Sequence, residues 1–137
     1  FMLEVDVQDT RDGILILNHD RNFNRFYGDP RRVDEMTWEE IKNLRAEGKN
    51  YHPLSFEEFA ATYTERVKLM IDVKEKDPAP AFYQKLGEVM EKYGFLKDAY
   101  FIDNPAKAYF WGKAKFGVRI HEMSALREKF EKGEELL

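Results

Sequence analysis

Short apolar runs separated by helix-length segments, each with its own start signal, leave few folds open to this chain. VKLMIDV (67–73), AYFIDN (99–104) and KFGVRI (115–120) have the length and β-branched or aromatic content of buried strands. Helix signatures lie between them. TWEEIKNLRAEG sets Thr37 and Glu40 at capping-box spacing with Gly48 as a stop, and SFEEFAATYTERV repeats the device with Ser55 and Glu58. The second of these helices is expected to turn Phe56, Phe59, Ala60, Tyr63 and Val67 to one side. Pro80 opens a third, striped by Phe82, Leu86, Val89, Met90 and Tyr93 and ended by Gly94. Asp103 and Asn104 before Pro105 start a short helix, and SALREKFEKGEELL closes the chain as a charged one. Strands alternating with helices argue for parallel pairing through crossovers, in an open doubly wound sheet or in part of a (β/α)8 barrel. In both architectures functional groups collect at the carboxyl ends of strands, where this sequence puts Glu4 and Asp6, Asp72 and Lys74, Asp103, and Arg119 with His121 and Glu122.

With 137 residues, 43% of them hydrophobic, the chain is long enough for one compact core and too short for two ordinary domains. Lys and Arg number 22 against 26 Asp and Glu, a net charge of −4, so no broad cationic field exists for a nucleic-acid backbone. No nucleic-acid partner is expected. Cysteine is absent, which leaves carboxylates and histidines as the only strong metal ligands. No apolar run approaches the roughly 20 residues of a membrane span, and no basic-then-apolar segment resembles a signal peptide, so a soluble, cytoplasmic protein is expected. The chain opens on Phe1-Met2-Leu3 inside an apparent strand, without a turn or cap, which reads as a segment with residues missing upstream.

The stretch LEVDVQDTRDGILILNHD (3–20) concentrates the charge at one place. Asp12-Gly13 is a strong two-residue hairpin signal, and a turn centred on it pairs residues whose numbers sum to 25. Asp6 then opposes His19, with Glu4 on the same face by the two-residue period of a strand. Two carboxylates and an imidazole converging in this way suit a hard divalent cation beside an acid/base group. The competing reading is a solvated polar face, with Asp72 and Lys74 a same-face ion pair.

These motifs resemble the glycerophosphodiester phosphodiesterase family, whose members share a (β/α)8 barrel of the phosphoinositide phospholipase C type. The resemblance rests on Glu4-Val5-Asp6-Val7, Thr10-Arg11-Asp12-Gly13, the apolar Ile14 to Leu17, His19-Asp20 with Arg25 six residues after the histidine, and Ile71-Asp72-Val73-Lys74, where aspartate replaces the usual glutamate. It implies that Glu4, Asp6 and Asp72 ligate Mg²⁺ or Ca²⁺. His19 would be one of two catalytic histidines. Lys74 would act in catalysis and neutralise the substrate phosphate, with Arg25 as a second phosphate-binding group. The reaction implied is metal-dependent hydrolysis of a small-molecule glycerophosphodiester to glycerol 3-phosphate and an alcohol.

The family's H-R-G and E-N-T motifs do not occur before Phe1, and a barrel of this kind runs to about 250 residues. The chain therefore reads as the central part of one domain: about strands two to five of a TIM barrel, with a β-hairpin above its mouth. A half-barrel of this kind invites self-association. Two other classes compete with the enzyme: a non-catalytic relative that binds metal or a phosphate ester without turnover, and an unrelated α/β binding module. The sphingomyelinase D type phospholipases share the carboxylate and histidine pattern but carry a cysteine-rich loop that this chain lacks. His121 is expected to be structural, His52, beside Pro53, to be a loop residue, and Trp38, Trp111 and the phenylalanines to be core or helix-packing groups.

Overall fold

Alternating polar and apolar residues make Met2–Asp9 a strand, β1, that turns Val5 and Val7 into a core and Glu4, Asp6 and Gln8 to the opposite face. The computed structural model describes residues 1–64, 66–102, 105–117, 127–129 and 131–133. After β1 the chain folds back as β2 (Leu15–Leu17) and enters a lobe made of β3 (Asn22–Phe23), α1 (Asn24–Tyr27), β4 (Asp29–Arg32) and α2 (Trp38–Ile41). It returns through β5 (Leu54–Ser55) and α3 (Phe56–Tyr63) to β6 (Lys68–Val73). The rest alternates: α4 (Pro80–Lys92), β7 (Tyr100–Phe101), α5 (Lys107–Phe110) and β8 (Lys115–Phe116).

One six-stranded sheet has the order β5-β2-β1-β6-β7-β8. Its last four strands are parallel and follow chain order, while β2 and β5 extend it antiparallel beyond β1. Val5, Val7, Leu69, Ile71, Val73 and Phe101 share one face, and the core residues of α3, α4 and α5 pack there. A doubly wound sheet places helices on both faces and reverses strand order at a switch point; neither feature occurs among the described residues. The arrangement is the wall of a barrel, with helices outside and Glu4, Asp6, Met70, Asp72 and Tyr100 on the inner face. The four barrel strands expected from the sequence are β1, β6, β7 and β8.

The lobe has its own small core of Ile16, Phe23, Val33, Met36 and Ile41, with Tyr27, Trp38 and Leu44 against it. Successive β2 residues join the two cores, Leu15 packing into the main one and Ile16 into the lobe.

Several boundaries differ from expectation. The capping box at Thr37 and Glu40 forms, but α2 ends at Ile41 rather than near Gly48. Side chains take the carbonyls a longer helix would use: Asn43 Nδ2 donates to Glu39 O at 2.7 Å, and Arg45 Nη1 to Lys42 O at 2.8 Å. The helix started by Ser55 and Glu58 stops at Tyr63, so Val67 packs from the segment before β6. Among the described residues of the two later strand segments, regular strand covers Tyr100–Phe101 and Lys115–Phe116, although Ile102 N–H still donates to Ile71 O (3.0 Å) and Gly117 N–H to Phe101 O (2.8 Å). Trp111 is 60% exposed, stacked on Phe116 and beneath the Lys107 ammonium, rather than in the core. His52 lies in a loop, as expected. Asp103, Asn104, Arg119, His121 and Glu122 lie outside the described residues, as does most of the closing segment. Among the described residues no helix is long and apolar enough to cross a membrane.

Candidate active site

The parallel register of β1 and β6 sets Asp6 beside Asp72 and Glu4 beside Met70. Glu4, Asp6 and Asp72 each bring a carboxylate oxygen within 4.8 Å of the others. Lys74, just past the end of β6, folds back over them. Its Nζ lies 2.7 Å from Asp72 Oδ2 and 3.0 Å from Asp6 Oδ1. Asp6 Oδ1 is buried and receives no aligned hydrogen bond, so the contact with Lys74 is an ion pair without the directionality that would satisfy the oxygen. Burial pushes the Glu4 carboxyl above its ordinary value, and the charges of Asp6 and Asp72 add to the rise; Lys74 and His19 oppose it. Burial disfavours the Lys74 ammonium, but its hydrogen bond to Asp72 and its close contact with the Asp6 carboxylate outweigh it and hold its pKa above the usual lysine value.

His19 reaches this neighbourhood by a different route from the one the hairpin arithmetic predicts. The observed pairs are Val7 with Leu17, Gln8 with Ile16 and Asp9 with Leu15, whose numbers sum to 24. Gly13, at φ 76°, closes a three-residue loop of Arg11, Asp12 and Gly13 in place of a two-residue turn. A shift of one residue moves a strand's side chains to the other face, and Asn18, not His19, lies opposite Asp6, donating its N–H to Asp6 O at 3.1 Å. His19 instead stands on the loop after β2, near enough to Glu4 for its charged form to favour the Glu4 carboxylate.

That loop is held from below by a residue the sequence reading passed over. Gln8 is 2% exposed, and its Nε2 donates to Asn18 O (2.6 Å) and Asp20 O (2.8 Å). Asn18 Nδ2 donates to Asp20 O at 2.6 Å, and Arg21 Nη2 to Lys74 O at 3.0 Å, which ties the loop to the end of β6. Gln8 shares its face of β1 with Glu4 and Asp6, so no local pattern set it apart from them. Arg25, on α1, pairs its Nη2 with Asp20 Oδ1 at 2.8 Å. The fold thus gathers Glu4, Asp6, Asp72 and Lys74, brings His19 to their rim, and links Arg25 to His19 through Asp20 rather than to the carboxylates.

Three converging carboxylates, one with a buried oxygen lacking a directed donor, form an all-oxygen donor set that fits a hard divalent cation such as Mg²⁺ or Ca²⁺. Burial first, and the neighbouring Asp6 and Asp72 charges second, raise the Glu4 pKa, and the Lys74 charge offsets part of the rise.

The profile of the glycerophosphoryl diester phosphodiesterase family matches residues 2–131. A lysophospholipase D of Mus musculus, GDPD3, is 28% identical over 88 residues, which is 56% of this chain and 26% of the mouse protein. Among solved structures, a glycerophosphodiester phosphodiesterase of Galdieria sulphuraria described as putative superposes with a TM-score of 0.75 at 18% identity, over 97% of this chain and 60% of that one. The Thermotoga maritima enzyme gives 0.70 at 17% identity over 96% and 57%. One from Agrobacterium tumefaciens gives 0.68 at 20% identity over 81% and 49%. The chain therefore spans about a quarter of the curated relative and roughly half to three-fifths of the similar structures.

Proposed function

The chain belongs to the glycerophosphoryl diester phosphodiesterase family, and on that premise we propose that it is the central part of a metal-dependent phosphodiesterase that hydrolyses a glycerophosphodiester to glycerol 3-phosphate and an alcohol. The remaining staves of the barrel would come from sequence outside these residues. The observation that carries the reading is the Glu4, Asp6, Asp72 and Lys74 cluster at the carboxyl ends of adjacent parallel strands.

Glu4, Asp6 and Asp72 would hold the cation. When bound, such an ion polarises a phosphoryl oxygen and lowers the pKa of an attacking hydroxyl or water. Lys74 is close enough to the carboxylates to face a phosphate held there, and its ammonium offsets the negative charge that builds as the P–O bond to the leaving group breaks. His19, 61% exposed at the rim, moves the proton between the reacting oxygens and solvent. Asp72, one methylene shorter than the glutamate usual in the family, is drawn into the cluster by its direct register with Asp6. The mouse relative is named a lysophospholipase D, and a lysophospholipid is a phosphodiester of acylated glycerol, so diesters of free and of acylated glycerol are both to be assayed.

Hydrolysis of glycerophosphocholine should need added Mg²⁺ or Ca²⁺ and fall by a factor on the order of 10³ in His19→Ala, the scale of a lost acid/base group. Undiminished turnover in that variant would remove His19 from the mechanism. Cation-dependent stabilisation without turnover of any diester would favour the non-catalytic reading.

A further inference from the structure

The loop that carries His19 is fixed in backbone and side chain together. Gln8 and Asn18 hold the carbonyls of residues 18 and 20, so the Asp20 side chain projects from a clamped main chain. Its Oδ1 lies 2.8 Å from His19 Nδ1 and 2.8 Å from Arg25 Nη2. The hydrogen bond from His19, with help from the Arg25 charge, holds the Asp20 carboxyl below its usual range. An ionised carboxylate only accepts, so the contact with the ring requires the proton on Nδ1 and leaves the lone pair on Nε2. Arg25 in turn lies over the Phe26 ring, 4.6 Å from its centroid, which limits where the guanidinium can sit.

We propose that Asp20 is a positioning residue for His19, fixing the tautomer in which Nε2 is the proton acceptor, and that Arg25 acts through Asp20 by holding its carboxylate rather than by touching the phosphate. The use made of the Nε2 lone pair rests on the phosphodiesterase reading; the tautomer itself does not. An arrangement of adjacent residues 19 and 20 is built from the chain's own geometry: the register set by the three-residue hairpin loop puts both beyond the end of β2, outside its backbone ladder with β1.

The decisive measurement is a long-range ¹H–¹⁵N correlation of the His19 ring in ¹⁵N-labelled protein at pH 8, above the ordinary histidine range of about 6.5. The wild type should show the proton on Nδ1, Asp20→Ala should move it predominantly to Nε2, and Arg25→Gln should give a mixture of the two. A wild-type ring protonated on Nε2, or one unchanged in Asp20→Ala, would overturn the proposal, and the wild-type spectrum decides even if a variant fails to fold. In turnover, Asp20→Asn should lower kcat about 10- to 100-fold, the range for a group that orients a site residue from behind. Arg25→Gln should lower kcat in the same sense with KM little changed; a raised KM at unchanged kcat would make Arg25 a phosphate ligand and refute its part. Absence of turnover in the wild-type protein carrying the complete barrel would overturn the phosphodiesterase reading, while the ring spectra would still decide the role of Asp20.

Discussion

Replacing Lys74 by methionine isolates the electrostatics of the cluster, because the stem is kept and only the charge is removed. The Lys74, Asp6 and Asp72 side chains are 23%, 17% and 12% exposed, so solvent screens them weakly. At about 3 Å and an effective dielectric near 20, each ion pair is worth roughly 5 kcal/mol before desolvation. Removing one partner of such a pair costs about 3–5 kcal/mol net, because the other charge is left stranded. The protein has an escape: at pH 7 one carboxyl can take up a proton, about three pKa units from its ordinary value, which caps the loss near 4 kcal/mol. Lys74→Met should therefore lose about 3–4 kcal/mol at pH 7 in EDTA, or roughly 10 to 15 °C in Tm for a chain of this size. At pH 5 the escape costs only about 1.5 kcal/mol, so the deficit should shrink accordingly. The wild-type lysine has a raised pKa, so its contribution is complete below the ordinary lysine value of about 10.4 and disappears only as pH rises through the folded-state value. Saturating Mg²⁺ should restore more stability to the variant than to the wild type, since a dication takes over the neutralising charge. Thermal melts in EDTA and in Mg²⁺ at pH 5 and pH 7 test this, and a variant within about 2 °C of wild type at pH 7 in EDTA would refute the reasoning.

Glu4 carries the opposite sign. Its folded-state pKa is raised, so its stabilising contribution is full below the ordinary carboxylate range and lost as pH rises through the folded value. Glu4→Gln should therefore raise the metal-free Tm at pH 7, have no such effect at pH 3.5, and abolish the Mg²⁺-induced rise in Tm. Gln8→Leu removes two donors from the loop carbonyls of Asn18 and Asp20 and should cost about 2–3 kcal/mol in urea denaturation, beyond what its added apolar contact returns. Gly87→Ala should destabilise, although the same change in an open helix gains up to about 1 kcal/mol. An added Cβ would lie 2.9 Å from Cε1 of the buried Phe110 ring, itself stacked on Phe101, and a higher Tm in that variant would show that the pair yields without strain.

The local signals were legible because each depends on a few neighbouring residues. The capping boxes at Thr37 and Ser55, the proline start of α4 and the glycine just past its end all form as read. The identity of the cluster was legible too, since Glu4 and Asp6 lie on one strand and Asp72 and Lys74 at the end of another. Helix length was not: the segment after Thr37 stops early because side chains of Asn43 and Arg45 compete for its carbonyls, a choice that periodicity does not encode. The hairpin register was off by one, because Asp-Gly serves a three-residue loop as readily as a two-residue turn.

Sequence by itself determined the parallel α/β plan and the chemical types gathered at the strand ends, because strand and helix periods and metal-ligand chemistry are properties of short segments. Tertiary structure decided that Asp6 and Asp72 stand side by side, since parallel pairing brings β1 and β6 together although residues 10–67 separate them in the chain. It also decided that every described core helix lies on one face, leaving the acidic face toward a barrel interior. Lys74 folding onto two carboxylates, Gln8 clamping the loop beneath His19, and Arg25 reaching that histidine through Asp20 belong to the same level. They depend on distances between elements, and no local pattern of residues carries a distance of that kind.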